Sequence, residues 1–131
     1  MQNLGVLKHR VSLMKKTDIS FYLKYNRIHV YVEVLRSIGR PGNVCFMIAD
    51  NGKSLVLAPY PKRDLKSHRV PSAVYDGGKS MDICSMRMCK LLADICHWNP
   101  ECSYRIPGTI FPSQEIAVFY LLEAEEIEKE L

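Results

Sequence analysis

The sequence predicts a mainly β protein built from two tandem β-α-β-β units with short helices. Three observations predict this class. Most apolar residues lie in short runs rich in β-branched and aromatic residues, such as RIHVYVEV at 27–34. Two such runs, 44–49 and 54–59, flank an Asp-Asn-Gly-Lys turn, and Asn and Gly tolerate the positive φ angles of tight hairpins. The same order of strand, helix, strand, turn and strand then occurs in both halves of the chain.

The first unit is predicted over residues 19–60, after a basic N-terminal segment at 1–18. Its predicted elements are, in order, a hairpin of 19–24 and 27–34, a helical turn at 33–38 that ends at Gly39, and the hairpin of 44–49 and 54–59. A basic linker rich in Pro and Gly follows at 61–80. Within it we expect a short strand around His68–Val70.

The second unit is predicted over residues 81–122, and an acidic helical or frayed tail follows at 123–131. Ser85 is placed to cap a helix at 86–98. That helix has a stripe with the spacing of one buried face, made of Met88, Leu91, Leu92, Ile95 and Cys96. The remaining elements are strands at 81–84, 103–111 and 115–122, with a turn between the last two.

The charge is divided unevenly between the two halves. Residues 1–80 carry fourteen Lys and Arg against five Asp and Glu, whereas residues 81–131 carry four against nine. This asymmetry is typical of a nucleic-acid-facing half joined to an acidic half, and also of a solvated basic surface with an acidic tail. The same two interpretations apply to the linker. Its basic cluster either lies against phosphates or is a solvated surface. The cluster consists of Lys62, Arg63, Lys66, His68 and Arg69.

Several function classes are not favoured. The five cysteines are odd in number and lack a C-x-x-C pair, and we see no secretory signal at the start of the chain, so we expect reduced thiols in the cytoplasm. Cys96, His97 and Cys102 lack the spacing of zinc ligands, so we expect no metal and no cofactor. No apolar run approaches the roughly 20 residues of a membrane span. No histidine has an obvious nucleophile partner, so we expect no catalytic residues and no enzyme.

Residues 27–59 carry a more specific pattern. Arg27 opens a strand, a short helix ends at Ile38-Gly39, a Pro-Gly-Asn turn follows, and a hairpin closes over residues 50–53. This order resembles the DNA-binding domain of the SpoVT/AbrB superfamily, which includes the MazE antitoxins and the MraZ regulators. The resemblance covers about a quarter of the chain. It departs from the family at Tyr31, where a Pro is usual, and at Leu35, where the helix Arg often stands.

The resemblance implies an interlocked swapped-hairpin (cradle-loop) barrel of two units, here in one chain as in MraZ-type proteins. It implies double-stranded DNA as the partner and a role in transcriptional or mobile-element regulation. The basic residues beside the first strand and helix that it implies as DNA contacts are Arg27, His29, Arg36 and Arg40, with Lys24 and Lys53 as weaker additions. The alternative is a protein-interaction module, either antitoxin-like or a barrel that has lost DNA binding, with a protein partner or a second copy.

Overall fold

The computed structural model describes residues 14–128, and this part of the chain forms nine strands and two helices. The strands are β1 (Lys15–Tyr22), β2 (Arg27–Tyr31), β3 (Asn43–Ala49), β4 (Ser54–Pro59), β5 (His68–Arg69), β6 (Ser80–Cys84), β7 (Ser103–Phe111), β8 (Ile116–Tyr120) and β9 (Glu125–Ile127). The helices are α1 (Val32–Ser37) and α2 (Met86–Cys96). The predicted mainly β class is confirmed.

All nine strands belong to one antiparallel sheet with the order β5-β3-β4-β8-β7-β1-β2-β6, and β9 pairs with β7. The sheet curves into a nearly closed barrel, and β5 and β6 are the two ends of its strand order. Among the described residues, no helix is long and apolar enough to cross a membrane.

The core fills the inside of this barrel with alternate residues of the strands. On β2, for example, Ile28 and Val30 are buried while Arg27 and His29 point outward. Each fully buried Leu, Ile or Phe side chain contributes about 1.5–3 kcal/mol relative to an exposed one. Other fully buried side chains of the strands include Ile19, Phe21, Leu55, Leu57, Ile106 and Phe119.

The order β2-α1-β3-β4, which we call the first unit, recurs as β6-α2-β7-β8, the second unit. Equivalent strands of the two units pair with each other, β2 with β6 and β4 with β8. The middle residues of β2 and β6, His29 and Asp82, are partners, and β8 pairs with β4 with its middle residue Val118 opposite Val56. The chain therefore has an approximate twofold relation between its units.

Each hairpin turn also meets the helix of the other unit. A Cβ built on Gly52, in the β3–β4 turn, would lie 3.4 Å from a methyl carbon of Ile95 in α2. A Cβ built on Gly39, just after α1, would lie 3.4 Å from the side-chain carboxyl carbon of Glu115 in the β7–β8 turn. Strands of the two units therefore alternate in the sheet order, and each hairpin turn contacts the other unit at its helix or just after it.

Two local predictions hold well. β1 and β2 form the predicted hairpin, which turns through a 3₁₀ segment at Leu23–Tyr25 and through Asn26, whose φ is 54°. Ser85 caps α2 as predicted, because its hydroxyl accepts a hydrogen bond from the backbone N–H of Met88 at 3.2 Å. α2 ends at Cys96, earlier than predicted, since His97 adopts a left-handed φ of 55°.

The predicted buried stripe of α2 is partly wrong. Met88 and Leu92 are buried, but Leu91 and Ile95 are 38% and 37% exposed, and Cys89 is buried instead. The barrel covers only one side of this helix, so the buried stripe is narrower than the apolar pattern.

The predicted tail and linker also contain more structure than expected. Glu125–Ile127 is not a helical or frayed tail but the strand β9, which pairs with residues 103–105 of β7. The linker holds β5, close to the short strand expected there, and a 3₁₀ turn at Ser72–Tyr75. β1 begins inside the predicted N-terminal segment, at Lys15. Residues 1–13 and 129–131 of the predicted terminal segments lie outside the described residues.

Candidate nucleic-acid interface

The structure distributes the six sequence-predicted basic residues over three places. Arg27 and His29 lie on the outer face of β2. Arg36 lies in the last turn of α1 and Arg40 lies just beyond that helix. Lys24 and Lys53 lie in turns beside α2: the turn of Lys24 packs on that helix, and Lys53 follows Gly52, which meets Ile95. The six residues therefore do not form one surface.

Arg27 and His29 share a single carboxylate. Nδ1 of His29 lies 2.8 Å from Oδ1 of Asp82, and Nη1 of Arg27 lies 3.8 Å from Oδ2 of the same residue. Tyr31 packs edge-on against the His29 ring, with 5.4 Å between the ring centroids. This face therefore combines the two predicted basic residues with a carboxylate that the sequence pattern does not reveal, because Asp82 comes from the second unit.

Arg36 and Arg40 both contact Tyr75. A guanidinium nitrogen of Arg36 donates to the backbone carbonyl of Tyr75 at 3.0 Å, and the guanidinium carbon of Arg40 lies 5.9 Å from the centre of its ring. The Tyr75 hydroxyl donates to the carbonyl of Pro41 at 2.7 Å. Burial raises the pKa of Tyr75, with a smaller opposing effect from Arg40, so the hydroxyl keeps its proton at neutral pH.

Backbone pairing joins this region to the linker. The N–H of Val70 donates to the carbonyl of Gly42 at 2.9 Å, and the N–H of Tyr60 donates to the carbonyl of Asn43 at 2.9 Å. Asn43 also pairs with Arg69 in the β3–β5 ladder. Residues 40–43 therefore lie between Tyr75 on one side and both ends of the 60–70 loop on the other.

The result is a run of exposed cations along the β5 end of the sheet, which we call the basic edge. It consists of Arg36, Arg40, Lys62, Arg63, Lys66 and Arg69, all exposed. Within residues 14–128, none of the six forms an ion pair within 4.0 Å of a carboxylate; the pairs present there involve Lys15, Arg27 and His29. An open groove of about 460 Å³ runs along the edge, lined by Asn43, Arg63, Asp64, Leu65, Ser67 and Arg69.

His68 belongs to the predicted basic cluster but is not one of its cations. Its ring packs edge-on against Phe46, with 5.5 Å between centroids, and its Nε2 atom is buried with no hydrogen-bond partner among the described residues. Burial, and then the positive charge of Arg87, lower the pKa of His68 below its usual 6.5. The side chain is therefore neutral at pH 7 and serves packing.

Three of the five thiols have a raised pKa in this structure, and the described residues form no metal-ligand cluster. Burial, with a smaller contribution from Cys84, raises the pKa of the Cys89 thiol to about 11. Burial also raises the pKa values of Cys45 and Cys96. Protonated thiols are poor nucleophiles. Across residues 14–128, no group of three or more His, Cys, Asp or Glu side chains is placed to hold a metal ion.

Comparisons with protein-family models, with curated proteins and with solved structures find no match to this chain. The observed geometry alone defines the class: a nearly closed antiparallel barrel with an exposed cationic edge beside β5.

Proposed function

We propose that the protein binds double-stranded DNA through the basic edge and acts as a regulator of transcription or of a mobile element. One observation carries the proposal. The backbone bonds of Gly42 and Asn43 bring the arginines after β2 together with the linker cations, so that six exposed positive charges follow one edge. Cations that neutralise phosphates release counterions, which supplies most of the sequence-independent affinity for DNA.

The two arginines at Tyr75 suit base or phosphate contact. Each guanidinium has five donors in a planar fork, and Arg36 uses a donor on the Tyr75 carbonyl. The hydrogen bond of Arg36 to the Tyr75 carbonyl and the contact of Arg40 with the Tyr75 ring restrain both side chains before DNA arrives, which reduces the entropy lost on binding. The lysines of the loop are better suited to phosphates, which they contact as flexible point charges.

The face of Arg27 and His29 is less suited to DNA. Asp82 lies against both side chains, and a carboxylate there repels a phosphate. We therefore assign these two residues a secondary part in the interface, and we assign none to Lys24 and Lys53, which lie beside α2.

We also propose that this chain shares ancestry with a known group of DNA-binding barrels. The repeated unit order, the matching register and the interleaved turns support a distant tandem relative of the SpoVT/AbrB swapped-hairpin barrels. The resemblance of residues 27–59 supports the same relationship. In that reading the first unit has kept the DNA-facing role and the second unit completes the barrel.

A protein-interaction module is the second candidate, and a specific surface favours it. Leu122 is 79% exposed and Ile95 is 37% exposed, and both line a groove of about 310 Å³ at the end of α2. Exposed apolar side chains around a groove are typical of protein docking sites. Glu123, Glu125 and Glu126 follow directly in the chain, so a partner at this groove would be basic as well as apolar.

Fluorescence anisotropy with labelled duplexes tests the first candidate. One duplex comes from the region upstream of the protein's own gene and the other is its scrambled version, both titrated over salt. The edge variant carries Arg36→Ala, Arg63→Ala and Arg69→Ala. The matched control carries Lys24→Ala, Lys90→Ala and Arg105→Ala, three exposed cations outside the edge.

We expect the edge variant to lose affinity on both duplexes and to lower the slope of log affinity against log salt by about three. The control variant should keep the wild-type slope. Equal losses in both variants, or no binding by the wild type at low salt, would contradict the proposal. Preference for the upstream duplex would identify a specific regulator.

A further inference from the structure

Leu65 stands at the tip of the loop between β4 and β5 with 96% of its surface exposed, more than any other large apolar side chain in residues 14–128. A lone exposed leucine is ordinary, but this one lies within the basic edge. It lines the same open groove as Arg63 and Arg69, and Lys66 follows it directly. An apolar tip is thus surrounded by the cations that we assign to DNA.

The loop holds Leu65 outward. On one side of it, the carboxylate of Asp64 accepts hydrogen bonds from the Tyr60 hydroxyl at 2.7 Å and from the Lys66 N–H at 2.8 Å. On the other side, the Ser67 hydroxyl donates to the Asp64 carbonyl at 2.9 Å. The bond from Tyr60 lowers the pKa of Asp64, so this brace is intact at neutral pH. These bonds fix the backbone on both sides of Leu65, whose side chain is exposed at the tip.

The groups near Leu65 indicate the chemistry of the partner that it would contact. Four cations, Lys62, Arg63, Lys66 and Arg69, and one carboxylate, Asp64, belong to the same loop or groove as Leu65. The surroundings of this leucine therefore carry a net positive charge, which suits a polyanion that also offers an apolar site. An anionic membrane is the poorer match, because stable attachment to a bilayer takes a broad apolar face or more than one anchor. Duplex DNA is the better match, since leucine is among the side chains that insert between base steps from the minor groove while basic residues hold the backbone.

We infer that Leu65 inserts between adjacent base pairs of the bound duplex and that the protein thereby bends its DNA. The inference rests on the proposed function and adds the form of DNA that the site recognises, a duplex opened at a flexible step. Pyrimidine–purine steps such as TA unstack most readily, so the site should favour a TA step beneath the loop. Insertion also explains why an apolar side chain lies among the cations of the edge.

A duplex that reports unstacking tests the inference. It carries 2-aminopurine at a central TA step and a donor and acceptor dye at its two ends. The protein variants are wild type, Leu65→Ala and Leu122→Ala. The last removes a second exposed leucine, outside the edge, and serves as the matched control. Circular dichroism of each variant confirms an unchanged fold, which we expect because both side chains are exposed.

With wild type and Leu122→Ala, we expect 2-aminopurine fluorescence and energy transfer between the ends to rise on binding. With Leu65→Ala, both rises should vanish, while the salt slope stays unchanged and affinity falls by no more than about tenfold, since phosphate contacts supply most of it. Binding without any rise in wild type, or the same rise in Leu65→Ala, would overturn the inference and leave the proposed function standing.

Absence of duplex binding would overturn the proposed function and the inference together. In that case the same variants are added to vesicles of phosphatidylserine and phosphatidylcholine. Sedimentation with the vesicles that depends on Leu65 would then assign the loop to lipid instead of DNA.

Discussion

His29 and Asp82 face each other as the middle residues of β2 and β6, with 2.8 Å between Nδ1 of the histidine and Oδ1 of the aspartate. The pair joins the two units at the centre of their shared ladder. It also places a negative charge beside Arg27, whose Nη1 lies 3.8 Å from Asp82. The carboxylate therefore acts on both the stability and the charge of this face.

Replacing Asp82 with Asn should separate these two effects. The side chains of His29 and Asp82 are 28% and 42% exposed, so we expect a loss of less than about 1 kcal/mol in the free energy of unfolding. DNA affinity should rise, because the variant no longer repels phosphate near Arg27. Urea unfolding and duplex anisotropy measure the two quantities. Asp94→Asn, on α2, is the control, and a fall in affinity with Asp82→Asn alone would count against the secondary role given to this face.

Two substitutions at Tyr75 should distinguish its hydroxyl from its ring. Tyr75→Phe removes the hydrogen bond to the Pro41 carbonyl and keeps the ring under Arg40, so it should cost about 1 kcal/mol of stability and leave DNA affinity unchanged. Tyr75→Leu also removes the ring and should weaken DNA binding by several-fold. Equal DNA affinities of the Phe and Leu variants would show that the ring does not position Arg40.

Acidification should destabilise the protein through His68. Because the folded-state pKa of His68 lies below its unfolded value of 6.5, the unfolded chain binds the proton first as pH falls. The stability contribution is therefore complete above about pH 6.5 and is lost as pH falls through the lower folded-state pKa.

His68→Phe tests this directly. It keeps a ring against Phe46 and removes the buried Nε2 atom, which has no hydrogen-bond partner within residues 14–128, so we expect about 1 kcal/mol of added stability at pH 7. It should also flatten the dependence of unfolding free energy on pH as the pH falls from about 7. Urea midpoints at a series of pH values measure both effects. An unchanged pH dependence would mean that another group governs acid sensitivity.

Gly108 in β7 is predicted to be intolerant of a side chain. A Cβ there would lie 2.5 Å from a ring carbon of Phe119 and 2.5 Å from the carbonyl oxygen of Val118. Gly108→Ala should therefore destabilise the barrel by about 1–3 kcal/mol. Gly42 provides the control, since within residues 14–128 only its chain neighbours lie within 4 Å of a Cβ built there, and its Ala variant should unfold at or above the wild-type temperature. Similar melting temperatures for the two variants would contradict the close approach.

Elements whose conformation depends on residues close together in the sequence could be predicted. The Asp-Asn-Gly turn needs positive φ, and Asp50, Asn51 and Gly52 all adopt it. The Ser85 cap likewise depends on the next three residues. β9 could not be predicted, because an acidic segment becomes a strand only where β7 offers it a partner.

In the candidate site, too, the local features could be predicted and the long-range contacts could not. Basic side chains at Arg36 and Arg40 are visible in the sequence, but their connection to the linker depends on the contact of Gly42 with Val70. The sequence left the linker cluster open between phosphate contact and simple solvation, since nothing local says that its two ends meet β3. Asp82 was missed as a partner of His29 because their strands pair only in the folded barrel.

The approximate twofold relation has a consequence for how this molecule would read a nucleic acid. An assembly of two identical chains presents every surface twice, and it suits a palindrome whose halves are alike. Here the related strands meet at His29 and Asp82, a base facing an acid, so the symmetry of the backbone is already broken in the side chains. The basic edge belongs to the first unit and the linker alone. The barrel therefore has a direction, and a duplex held along it would be recognised in one orientation, with a left end that differs from its right.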